Sequence, residues 1–172
     1  MEIVNIISVV KLQNPLDLEV LIEKLENTEF NKGKTWLKLR LQPDNNYIAF
    51  YGSGKFLVTG LKSMEKVEDV VNKVSYLLES SGIENLIEKI DITNIVLTDK
   101  IDLECTLEDL IFHLDARKSS YEPESFPGLF YKDDSGISFT VFNSGKIILT
   151  GVKDLRLAEE VFEKFKGMIK DF

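Results

Sequence analysis

Tyr51-Gly52-Ser53-Gly54-Lys55-Phe56-Leu57-Val58-Thr59-Gly60-Leu61-Lys62 and Phe142-Asn143-Ser144-Gly145-Lys146-Ile147-Ile148-Leu149-Thr150-Gly151-Val152-Lys153 follow one pattern. Each has Ser-Gly-Lys, three apolar residues and then Thr-Gly-apolar-Lys, offset by 91 positions from Ser53 to Ser144. Further matches keep the same order along the chain. Ile3-Val4-Asn5-Ile6 pairs with Ile92-Thr93-Asn94-Ile95, Leu16-Asp17-Leu18-Glu19 with Ile101-Asp102-Leu103-Glu104, and Glu29-Phe30-Asn31 with Ser120-Tyr121-Glu122. Ordered matches of this kind mark a duplication, and two copies are too few for a solenoid. The expected organisation is two pseudo-symmetric halves, 1–86 and 87–172.

Each half has the same expected order: strand, helix, strands, helix. A β-branched apolar strand comes first, at about 3–11 and 90–98. A helix follows, with Leu18, Leu21, Ile22 and Leu25 at helical spacing in the first half and Leu103, Leu107, Leu110, Ile111 and Leu114 in the second. Leu37, Leu39 and Leu41 then alternate with Trp36, Lys38 and Arg40. Pro43-Asp44-Asn45-Asn46 and Asp133-Asp134-Ser135-Gly136 carry turn chemistry. The closing helices present apolar stripes: Val67, Val70, Val71, Val74, Leu77 and Leu78, then Val161, Phe162, Phe165, Met168 and Ile169. The fold class this implies is α+β: antiparallel sheet with helices on a single face. In the Ser-Gly-Lys strands, Leu57 and Thr59 face away from Phe56 and Val58, and Ile148 and Thr150 away from Ile147 and Leu149. Both faces are thus rich in apolar residues. A face left bare by helices should be polar, so an apolar one implies a partner. A sandwich core with helices on both faces is the competing reading.

Composition points another way. The chain has 172 residues, a net charge of −8 and a pI near 4.8. Acidity of this size ordinarily argues against nucleic acid, whose phosphates are bound by Lys and Arg. No apolar run approaches the roughly 18 residues that span a membrane, and no basic-then-apolar leader opens the chain. The lone Cys105 cannot form an internal disulfide, which fits a reducing intracellular compartment. Enzyme chemistry has no motif here: no metal-ligand cluster, nucleophile signature or phosphate loop. The expectation is a non-enzyme without a cofactor. His113, the only histidine, is expected at a helix end near Asp115, and Cys105 within that helix as a small core residue.

The segment Tyr121-Glu122-Pro123-Glu124-Ser125-Phe126-Pro127-Gly128-Leu129, followed by Val141 to Gly151, is similar to the second repeat of TATA-box-binding proteins nearly residue for residue. The resemblance extends over essentially the whole chain, more loosely in the first half. It implies a single curved antiparallel sheet, a saddle with helices on its convex face, that grips and kinks A/T-rich promoter DNA through the minor groove. The lack of an N-terminal extension resembles the archaeal members.

The resemblance also implies roles. Asn5 and Asn94 donate to base edges, flanked by Thr59 and Thr150. Ile7, Leu57, Val96 and Ile148 press on the groove floor. Phe126, followed by Pro127, and Phe142 are the wedges of the second half. In the first half Tyr51 stands for a phenylalanine, and either Trp36 or Thr35 takes the other position. Arg40, Lys55, Lys132 and Lys146 are the phosphate contacts. The acidic loop with Glu122, Glu124 and Ser125 docks transcription factor B and, through it, RNA polymerase. The implied protein is intracellular and nucleoid-associated, a monomer on DNA, with a homodimer off DNA left open. A divergent relative acting mainly by protein binding, and a substrate-binding domain of a nucleic-acid enzyme, are the alternatives.

Overall fold

The computed structural model describes residues 1–170. The described residues form an α+β fold with ten antiparallel strands and four helices, and they divide into two compact units. One unit is Asn5–Thr93; the other is Met1–Val4 together with the chain from Asn94 onward.

In the Asn5–Thr93 unit the strand order is β2 (Thr28–Phe30), β3 (Trp36–Leu41), β4 (Asn46–Tyr51), β5 (Lys55–Leu61), β1 (Glu2–Leu12) and then β6 (Ile87–Lys100). β1 and β6 run antiparallel: Lys11 lies beside Glu88, Ser8 beside Asp91, and Ile7 beside Thr93. Strict alternation decides the core. Leu37, Leu39, Ile48, Phe50, Phe56, Val58, Ile6 and Val10 are buried, all on one face. Helix α1 (Leu18–Lys24) contacts β3, and helix α2 (Met64–Ser80) contacts β5. Each such side chain contributes about 1.5–3 kcal/mol when fully buried. Trp36, Lys38, Tyr47, Tyr51, Leu57, Thr59, Asn5 and Ile7 occupy the other face and are only half-buried.

In the other unit the order is β6, β10 (Lys146–Val152), β9 (Ser138–Phe142), β8 (Gly128–Lys132), β7 (Ser119–Ser120). Helix α3 (Leu107–His113) contacts β8, and helix α4 (Leu155–Lys170) contacts β10. The covered face buries Leu129, Tyr131, Phe139, Val141, Ile147, Leu149, Ile95 and Leu97. The Phe139 ring stacks on Phe165 of α4 at 4.6 Å, and Tyr131 packs beside both. In both units one sheet face is covered and the other is not, which excludes a sandwich with helices on both faces.

Local sequence sets the helix starts. Asp17, Ser63 and Thr106 cap α1, α2 and α3 through their side-chain oxygens, and Asp154 does the same for α4; such caps are worth about 1 kcal/mol each. Several expectations need correction. The first strands run longer than 3–11 and 90–98: β1 is Glu2–Leu12 and β6 is Ile87–Lys100, whose last residues Asp99 and Lys100 pair with Ile147 and Lys146 of β10. Leu103 and Cys105 precede α3, which begins only after its Thr106 cap; Cys105 is half-buried, not a core residue. Leu77 and Met168 flank their stripes and are half-buried. His113 does stand in the last turn of α3, as expected; beyond it Asp115 accepts from Arg117 at 2.9 and 3.1 Å, and this guanidinium holds its carboxyl down to about 2.

Candidate nucleic-acid interface

The Thr-Gly pair common to both halves has a structural cause. In β5 the register with β1 slips between the Ile6–Leu61 and Ser8–Val58 pairs, so Thr59-Gly60 forms a bulge. In β10 it slips between the Leu149–Leu97 and Val152–Ile95 pairs, around Thr150-Gly151. Gly60 and Gly151 have φ of 87° and 78°, a left-handed conformation that glycine adopts at no steric cost. The bulge turns each glycine N–H out of the ladder and onto an asparagine: Gly60 donates to Asn5 Oδ1 at 2.8 Å, and Gly151 to Asn94 Oδ1 at 2.7 Å.

A backbone N–H can only donate, so the amide oxygen must be the atom it meets. The orientation of both asparagines is thereby fixed. Each points its NH2 away from the bulge, a pair of donors on a face otherwise lined with Ile7 and Leu57, or Val96 and Ile148. Thr59 also donates to Asn5 Oδ1, at 3.3 Å. The equivalent bond from Thr150 to Asn94 is not made, so the two sites are similar without being identical.

Alternation places every strand-borne candidate on the uncovered face of its unit. Asn5, Ile7, Trp36, Arg40, Tyr51, Lys55, Leu57 and Thr59 share one such face; Asn94, Val96, Lys132, Phe142, Lys146, Ile148 and Thr150 share the other. Phe126 and Pro127 belong to the exposed loop between β7 and β8. Phe126 packs against Phe142 at 5.9 Å and stacks on Phe130 at 5.0 Å. Phe130, 42% exposed, completes an aromatic trio that the sequence reading missed. Its signal was available: Phe130 is two residues from Gly128 and on the same face. Gly128 makes the trio fit, since a Cβ there would lie 2.6 Å from the Phe126 ring and 3.2 Å from that of Phe142.

Register places Trp36, not Thr35, within the first-half sheet. Trp36 pairs with Tyr51 as Gly128 pairs with Phe142. The indole of Trp36 therefore grows from the position over which the Phe126 ring lies in the other unit. Thr35 is an exposed loop residue whose hydroxyl accepts from Asn31. Trp36 meets Tyr47 edge-on at 6.3 Å, and Arg40 lies over the Tyr47 ring at 4.9 Å. Tyr47 was also missed. Lys38 occupies the position equivalent to Phe130 and forms an ion pair with Glu29.

Glu122, Glu124 and Ser125 are exposed in the β7–β8 loop. The loop is shaped by Ser125 and Phe126 N–H groups that both donate to the Glu122 carbonyl at 2.9 Å. Tyr121 ties it to α3 by donating to Glu108 at 3.2 Å; burial and then this carboxylate push the Tyr121 phenol above its usual pKa.

The chain as a whole is similar to known proteins. The sequence pattern of the family described as "Transcription factor TFIID (or TATA-binding protein, TBP)" matches residues 1–81 and 89–172. A TATA-box-binding protein of Methanococcus aeolicus is 33% identical, with 99% of this chain and 94% of the relative covered. A TATA-box-binding protein C of Halobacterium salinarum is 32% identical, covering 99% and 97%. Among solved structures, "Methanococcus jannaschii TBP" superposes with a TM-score of 0.86 at 32% identity, over 99% of this chain and 98% of that one. With the duplication, the α+β units and these relatives in agreement, the chain belongs to the TATA-binding protein family, a family of DNA-binding transcription factors and not of enzymes.

Proposed function

We propose that this protein is a transcription initiation factor that binds an A/T-rich promoter element in the DNA minor groove, with residues 1–86 and 87–172 as its two repeats. The observation that carries the reading is the fixed amide orientation of Asn5 and Asn94. The minor groove of A·T pairs offers acceptors, adenine N3 and thymine O2, whereas guanine adds an obstructing amino group. Two outward NH2 donors amid Ile7, Leu57, Val96 and Ile148 are complementary to the first and hostile to the second. Thr59 and Thr150 flank these donors.

Aromatic insertion unstacks base steps and kinks the duplex. Phe126 and Phe142, with Pro127 closing the loop, serve as the wedge of the second repeat. Trp36 and Tyr51 serve the first, less prominently, because Trp36 is half-buried and braced on Tyr47. Arg40, Lys55, Lys132 and Lys146 meet phosphates. Glu122, Glu124 and Ser125 form the face for transcription factor B, which brings RNA polymerase. The protein works inside the cell, on the nucleoid. The replacement of the first-repeat wedge loop by Asn31–Thr35 also suits a relative that acts chiefly through protein contacts.

Binding and bending on a TATA-like duplex, with and without transcription factor B, test the proposal. The expected complex is strongly bent, near the roughly 80° known for this family. An unkinked complex would sink it. Tight binding of transcription factor B without duplex binding would favour the protein-contact reading instead.

A further inference from the structure

The two repeats carry equivalent loops of opposite charge. The β7–β8 loop holds Glu122 and Glu124, while the β2–β3 loop, Asn31-Lys32-Gly33-Lys34-Thr35, holds Lys32 and Lys34. Register makes the β2–β3 loop one residue shorter, and it puts Lys34 at the chain position of Phe126. In a chain of net charge −8, a basic tip at that place requires a reason.

The loop is built, not slack. Asn31 Oδ1 accepts from the N–H of Thr35 at 2.7 Å and of Trp36 at 3.1 Å, and its Nδ2 donates to the Thr35 hydroxyl. Lys34 N–H closes onto the Asn31 carbonyl at 2.9 Å. Lys34 adopts φ of 51°, and its ammonium sits 5.9 Å over the Phe30 ring. Neither Lys32 nor Lys34 is held in an ion pair among the described residues, whereas Lys38 is neutralised by Glu29. Beneath the tip, a hollow of about 170 Å³ is lined by Lys32, Lys38, Trp36, Phe30, Asn31 and Glu29. Trp36 and Lys38 belong to the uncovered face, so the hollow opens beside the proposed DNA surface.

We infer that Lys32 and Lys34 form a phosphate clamp that grips the DNA backbone at the edge of the site on the first-repeat side, where the second repeat relies on its aromatic trio. The inference rests on the minor-groove reading. Its chemistry is simple: a fixed turn carries two ammonium groups, that of Lys34 over the Phe30 ring, and the ligand is a pair of backbone phosphates. The glutamates of the equivalent loop in the other repeat repel phosphate, so the two repeats are not interchangeable, and the clamp favours one polarity of binding.

Fluorescence anisotropy on a duplex with an A/T-rich site and flanks on both sides, between 50 and 200 mM salt, tests it. Each neutralised phosphate adds about 0.9 to the salt slope. Lys32→Ala/Lys34→Ala should flatten the slope by about 1.8, so that it loses roughly 12-fold less affinity than wild type across that range. The difference should vanish when one particular flank is trimmed and persist when the other is. Lys66→Ala on α2 is the control and should match wild type, and thermal melting confirms that the variants fold. Equal slopes in wild type and double variant would overturn the clamp alone, leaving the lysines to an acidic protein segment. A difference that survives trimming of both flanks would also overturn it, as a general field effect. A wild type that binds no duplex would sink both the clamp and the minor-groove reading.

Discussion

At the scale of single residues, the decisive atoms are the amide oxygens of Asn5 and Asn94. Each is occupied by a glycine N–H, so the amide nitrogen is the atom left for the proposed contact with DNA. Asn94→Asp separates the two roles. A carboxylate still accepts from Gly151, but it offers the groove an oxygen where a donor stood. DNA affinity should fall by about 2 kcal/mol, roughly 30-fold, with thermal stability little changed. An Asn94→Asp protein that binds A/T-rich DNA as wild type does would refute the donor assignment. Both asparagines were legible in the sequence as a symmetric pair. What they donate was not, because the orientation depends on a bulge in a strand more than fifty residues away.

At the scale of elements, alternation divides each strand between a buried face and an uncovered one. Phe56 is fully buried under α2, and Phe56→Ala should cost about 3–5 kcal/mol in denaturant unfolding. Phe142→Ala should cost far less stability and more DNA affinity. Equal effects of the two in both assays would mean that the faces are reversed. Gly128→Ala probes the aromatic trio more gently. The added methyl meets the ends of the Phe126 and Thr140 side chains at 2.6 and 2.8 Å. It should shift the wedge, reduce the DNA bend and lower stability by only about 1 kcal/mol. An unaltered bend angle in a gel-phasing assay would remove Gly128 from the wedge. Helix and strand order were readable from periodicity and caps. Phe130 and Tyr47 were passed over because their roles depend on which residues lie diagonally across neighbouring strands, and the register that decides this is not written in one strand.

At the scale of the whole molecule, the acidity that first argued against DNA is a matter of placement. The uncovered sheet faces hold Arg40, Lys55, Lys132 and Lys146, while acidic residues outnumber basic ones on α1, α2 and α3, among them Glu65, Glu68 and Asp69 on α2 and Glu108 and Asp109 on α3. Four phosphate contacts, or six with Lys32 and Lys34, give a salt slope of about −4 to −5. A measured slope near −10 would contradict an interface that rests on apolar contact. The two repeats are equipped differently: Phe126, Phe130 and Phe142 in one; Trp36, Tyr47, Tyr51 and the basic loop in the other.

The sequence by itself determined the duplication, the α+β class, the covered and uncovered faces and nearly all the candidate residues. Those properties are local or periodic: a repeat, an alternation, a cap, a Thr-Gly pair. Only the tertiary structure decided how the asparagine amides point, that Trp36 and not Thr35 stands opposite Tyr51, and that Phe130 stacks on Phe126. Those depend on register between strands. A bulge or a one-residue change in loop length shifts register, and pairing energy across the sheet, not the order of residues along it, fixes the outcome.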